Sequence, residues 1–69
     1  MDIKVNGELV VLMGNAASLV DAIKAVGISA DQTGIAVAVN LELVPRGEWA
    51  GFQLSSGDQL EVINARQGG

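Results

Sequence analysis

The sequence predicts a small α+β domain, a mixed sheet of about five strands with one helix packed on one face. Three observations lead there. Short apolar stretches suited to strands recur along the chain, and the first of them alternates cleanly with polar residues. One run alone, Leu19, Ala22, Ile23 and Val26, repeats at helical spacing. The pair Asn6-Gly7 is a strong signal for a hairpin, because both residue types accept positive φ.

The elements follow in order. Ile3 and Val5 alternate with Asp2 and Lys4 as a first strand. After the Asn6-Gly7 turn, residues 8–12 return as a second strand, and the run Leu9-Val10-Val11-Leu12 is apolar on both faces. Gly14-Asn15-Ala16 breaks it. Ser18 is a good N-cap with Asp21 three residues on, so a helix is expected over 19–26, closed by Gly27. At that length it must lie on a sheet. Residues 29–33 read as a polar loop. Ile35-Ala36-Val37-Ala38-Val39 is a third strand, with large residues on one face and alanines on the other. Asn40-Leu41-Glu42 turns, Leu43-Val44 opens a short fourth strand, and Pro45 ends it. The stretch 46–54 is irregular and packs through Trp49, Phe52 and Leu54. Ser55-Ser56-Gly57-Asp58 is turn chemistry, and Leu60, Val62 and Ile63 form the last strand. That strand fits best beside the first, parallel to it and in the middle of the sheet, the ubiquitin-like β-grasp arrangement.

The composition narrows the function. Sixty-nine residues make one domain, which buries only about 60% of its unfolded surface. There is no cysteine or histidine, so neither a disulfide nor a zinc site of the usual kind supports it. The apolar content of 49% supplies the core. The formal charge is −4, and the four basic residues Lys4, Lys24, Arg46 and Arg66 are scattered. Nucleic acid needs a basic stripe and is therefore not an expected partner. An acidic surface suits a basic docking patch on another protein, or simply keeps an apolar domain soluble. The start Met1-Asp2-Ile3-Lys4 has no apolar targeting segment, and no run approaches the roughly 20 apolar residues of a membrane span. A cytoplasmic location without a membrane partner is expected.

The division expected is a globular domain over 1–63 and a flexible tail over 64–69. The tail, Asn64-Ala65-Arg66-Gln67-Gly68-Gly69, has no apolar residue larger than alanine. Two glycines without side chains can enter a slot too narrow for other residues and carry a carboxylate into another protein's active site. Gly14-x-x-x-Ser18 lacks the lysine of a phosphate-binding loop and reads as a loop leading into a capped helix. Trp49 reads as a core or lid packer. Glu48 and Asp58 read as loop-ordering groups, and Arg46 as solvated. The sheet face away from the helix is the natural docking surface, with Ile63 and either Val10 or Val11 on it.

Ala36-Val37-Ala38-Val39-Asn40, then Val44-Pro45-Arg46 with Glu48-Trp49, then Gly57-Asp58 and Gly68-Gly69, resemble the ThiS family of thiamine-pathway sulfur carriers. The resemblance covers essentially the whole chain. Asn40…Val44-Pro45-Arg46-x-Glu48-Trp49 is its most specific part and separates the chain from the MoaD branch, the small subunits of molybdopterin synthase. Leu41-Glu42 departs from the turn residues common in the family, with a local effect expected.

The resemblance implies that the Gly69 carboxylate is adenylated by a ThiF-like enzyme, converted to a thiocarboxylate with sulfur from a persulfide protein, and used by a ThiG-like thiazole synthase. Arg66, Gln67 and Gly68 would thread the partner active sites. ATP and Mg²⁺ would belong to the activating partner, and this chain would bind no cofactor or metal and contribute no catalytic residue. The free chain is expected to be monomeric. The alternatives are a MoaD-like subunit, a ubiquitin-like modifier joined to target lysines, and an interaction domain whose glycines are incidental.

Overall fold

The computed structural model describes residues 1–29 and 31–64. In chain order it contains β1 (Asp2–Val5), β2 (Glu8–Val11), α1 (Leu19–Ala25), β3 (Ile35–Val39), β4 (Glu42–Val44), a 3-10 turn over Arg46–Glu48, and β5 (Gln59–Asn64). The sheet order is β2-β1-β5-β3-β4. β5 is parallel to β1 and antiparallel to β3, so the last strand is the central one, as expected.

Local chemistry sets the first hairpin. Asn6 and Gly7 have φ of 51° and 85°, the signature of a type I′ turn, whose twist matches that of the flanking strands. A two-residue turn fixes the register: Val5 faces Glu8 and Ile3 faces Val10. Ile3, Val5 and Val10 therefore point toward the helix, and Leu9 and Val11 point the other way. The strand stops at Val11, one residue short of expectation, and Leu12 turns its side chain into the core.

The helix is held at both ends. The Ser18 hydroxyl accepts from the Asp21 amide, and the Asp21 carboxylate accepts from the Ser18 amide, a complete capping box. The bond from the Ser18 amide to the carboxylate, above all, holds the Asp21 carboxyl below its usual pKa. At the other end Gly27 has φ of 86°. The Gly27 amide donates to Lys24 and the Ile28 amide to Ile23, the paired bonds of a Schellman motif. Val26 is the C-cap rather than the last helical residue, and its side chain is 37% exposed. Leu19, Ala22 and Ile23 carry the buried stripe.

The core lies between the helix and one sheet face, built on Ile3, Val5, Leu19, Ile23, Val37, Val39, Val44, Trp49, Leu54 and Leu60. Segment 46–54 closes one side of it. The Leu19 amide at the helix start donates to the Phe52 carbonyl, and the Leu54 amide donates to Ala17. Trp49 is 2% exposed, and its indole Nε1 donates to the Val44 carbonyl at 2.8 Å.

The second hairpin carries strain. It is a two-residue turn, Asn40-Leu41, with Val39 facing Glu42 and φ of 50° and 73°. Leu41 occupies the left-handed region, which costs a residue with a Cβ roughly 1–2 kcal/mol. The Leu41 side chain is 88% exposed and recovers little by burial. Replacing Leu41 by glycine is expected to raise stability by about 0.5–1 kcal/mol after the unfolded-state entropy of glycine is counted. A urea midpoint that stays put or falls in L41G would show that the turn is not strained.

Candidate functional site

The site has two parts, the end of β5 and the sheet face away from the helix. β5 runs between β1 and β3 as far as Asn64, which faces Ile35. Asn64, expected in the tail, is thus the last strand residue. Arg66, Gln67, Gly68 and Gly69 lie outside the described residues.

Asparagines from the two hairpin turns bond to β5 and the residue before it. The Asn6 side-chain oxygen accepts from the Val62 amide at 2.8 Å, across 56 residues of sequence. The Asn40 side-chain oxygen accepts from the Gln59 amide, and its nitrogen donates to Asp58, both at 3.0 Å. Asp58 also accepts from the Ser55 amide, so it orders the turn leading into β5, as expected. Positive φ at Asn6 and Asn40 and their side-chain reach act together: the conformation that makes each turn also aims an amide at the neighbouring strand.

The outer sheet face carries two apolar groups. On one side are Leu9 and Val11 of β2, 63% and 68% exposed. On the other are Leu43 of β4 and Ile63 of β5, 69% and 49% exposed, around the small residues Ala36 and Ala38. Between them stand Lys4, Gln59 and Glu61, and a groove of about 540 Å³ runs from the Asn6-Gly7 turn to the Asn40-Leu41 turn. Of the pair left open by sequence, Val11 faces outward and Val10 inward. The hairpin carried the missing signal, because a two-residue turn after Val5 places Val10 on the face of Ile3.

Arg46 differs from expectation. Its guanidinium lies 4.4 Å from the centre of the Trp49 ring and donates to the Gln32 carbonyl. It is a tether between two loops rather than a merely solvated charge. Next to it, the Ser29 hydroxyl donates to Asp31 and holds that carboxyl below its usual pKa. Trp49 is a core packer, as expected. Glu48 is exposed in the 3-10 turn. Among the described residues no group of acidic side chains is placed to hold a metal ion, and no helix is long and apolar enough to cross a membrane.

A five-stranded mixed sheet with a central parallel last strand and one helix across it defines a ubiquitin-like β-grasp protein. The chain belongs to the ThiS family, whose model matches residues 3–69. Two solved structures are similar in fold. One is a crystal structure of the thiamine biosynthesis protein ThiS from Geobacter metallireducens, with a TM-score of 0.81 and 23% identity over 100% of both chains. The other is a solution NMR structure of a thiamine biosynthesis protein from the same organism, with a TM-score of 0.74 and 22% identity, covering 100% of this chain and 88% of that one. No curated protein matches the chain.

Proposed function

We propose that this chain is a sulfur carrier for the thiazole part of thiamine, acting as a protein cosubstrate through the carboxylate of Gly69. The observation that carries this reading is the family match, which spans the chain through Gly68-Gly69. A carboxylate resists nucleophiles because of its charge and its poor leaving group. Transfer of AMP from ATP, with release of pyrophosphate, creates an acyl-adenylate. Sulfide then displaces AMP and leaves a thiocarboxylate. With a persulfide donor the first product is an acyl disulfide, and a second thiol releases the thiocarboxylate by reducing the S–S bond. A ThiF-like enzyme supplies the nucleotide site and Mg²⁺, and a ThiG-like synthase consumes the sulfur.

The composition and fold support a passive role for the globule. The chain has no cysteine, so sulfur has no internal thiol to migrate to. β5 is the central strand and is bonded by Asn6 and by both of its neighbours, which gives the residues after Asn64 a fixed point of departure. The outer sheet face, with Leu43 and Ile63 beside the end of β5, is the surface a partner would grip while holding the tail.

The test is reconstitution with a ThiF-like enzyme, ATP, Mg²⁺ and sulfide. The expected result is pyrophosphate release and a C-terminal peptide carrying sulfur in place of oxygen. Oxidation of Met1 or Met13 adds the same nominal mass, so the fragment must lack both, or the thiocarboxylate must be captured by a selective reagent. Absence of adenylation would point to an interaction domain, and lysine-linked conjugates in cells would point to a modifier. Transfer of the sulfur to a molybdopterin precursor instead of a thiazole precursor would point to a MoaD-like subunit.

A further inference from the structure

The two edges of the sheet are built differently. β4 is guarded: it has three residues, begins at Glu42 and ends against Pro45. β2 is also short and begins at Glu8, but no proline stands against it. Its run Leu9-Val10-Val11-Leu12-Met13 contains no charge, no proline and no glycine, and no strand among the described residues covers its outer edge.

The hairpin register says which main-chain groups are open. Met1 and Leu12 exchange two bonds, from the Leu12 amide to the Met1 carbonyl and from the Met1 amine to the Leu12 carbonyl. In an antiparallel ladder such pairs alternate. Glu8, Val10 and Leu12 therefore turn their amides and carbonyls to the β1 side, and Leu9 and Val11 turn theirs to the open edge. The same two residues carry the exposed apolar side chains of the strand.

We infer that β2 pairs antiparallel with β2 of a second copy of this chain, centred on Val10, to form a weak dimer with one continuous ten-stranded sheet. In this register Leu9 faces Val11 of the other copy and Val11 faces its Leu9. Each pair exchanges two main-chain bonds and places its two apolar side chains together on the outer face. No like charges face each other across the new ladder, in which Glu8 stands opposite Leu12 of the other copy. Lys4 lies beside Leu9 and Asp2 beside Val11 within one chain. Across the two-fold axis each apolar pair is therefore bounded by a lysine at one end and an aspartate at the other. The two Glu8 residues stand four positions apart along the strands, whereas a shift that set them face to face would oppose like charges. The two copies of β5 run antiparallel, so their Asn64 residues lie at opposite ends of the joined sheet.

An edge of four residues lies well below the roughly 800 Å² per partner of a standard interface, so the dissociation constant falls near about 1 mM. The expectation of a free monomer then holds only in dilute solution.

Sedimentation equilibrium and amide NMR of the full chain, from about 10 μM to about 1 mM, test the proposal. The expected result is a rise in average mass towards the dimer, with concentration-dependent amide shifts centred on Leu9 and Val11. V11K and L9K, both at exposed positions, should remain monomeric with unchanged spectra elsewhere. L43K, on the other side of the outer face, should associate like the parent. A parent that stays monomeric throughout, association that survives both lysine variants, or association lost only in L43K would each overturn it.

Discussion

Deleting Gly69, or adding a residue after it, is expected to lower adenylation by about 100-fold or more while leaving the folding equilibrium unchanged. The reason is geometric. One residue moves the reacting carboxylate by about 3.5 Å, and misplacement of a reacting atom by even about 1 Å can cost about 100-fold in rate. The globule should not register the change, because its described core reaches no further than Val62 and its last strand ends at Asn64. Gly68→Val should act in the same direction for a different reason, since a branched side chain widens the segment that must enter the partner. Pyrophosphate exchange with the adenylating enzyme reads the first quantity, and a urea midpoint reads the second. A truncated chain that is charged at the parental rate would remove Gly69 from the chemistry. A truncated chain that fails to fold would show that the tail belongs to the globule.

Most of the fold was legible because its signals are local. The Asn6-Gly7 turn, the Ser18 cap with Asp21, the Gly27 stop and the Ile35 to Val39 alternation each lie within a few residues of the structure they specify. The central position of β5 followed from topology once the hairpin and helix were in place. The sequence is less explicit where a residue's role depends on register or on distant segments. The run from Leu9 to Leu12 is apolar at every position, so its own pattern does not distinguish the faces, and the turn before it does. The sequence suggests a three-residue second turn, Asn40-Leu41-Glu42. The turn closes over two, and Leu41 therefore adopts a positive φ. The bonds from Asn6 to Val62 and from Arg46 to Gln32 join segments that no local pattern connects. The candidate site divides in the same way. The Gly68-Gly69 ending is plain in the sequence, whereas the outward set of Leu9, Val11, Leu43 and Ile63 needed the strand register.

Replacing Trp49 by alanine is expected to destabilise the domain by about 3–5 kcal/mol, the usual range for emptying a large buried aromatic site. A chain of 69 residues has a total stability of about 3–10 kcal/mol, so W49A should be largely unfolded or close to it at ambient temperature. Three losses combine: the buried ring, its indole bond to the Val44 carbonyl, and the surface on which Arg46 stacks. Trp49 sits within the Val44-Pro45-Arg46-x-Glu48-Trp49 block, so a loading defect in W49A could be read as loss of a partner contact. W49F separates the two explanations. Phenylalanine keeps most of the buried ring but gives up the indole bond to the Val44 carbonyl, a cost of about 0.5–1.5 kcal/mol. The chain should then melt earlier yet be adenylated at the parental rate wherever it is folded. Parental stability in W49F combined with slow adenylation would reverse the assignment and make the indole a contact for the activating enzyme.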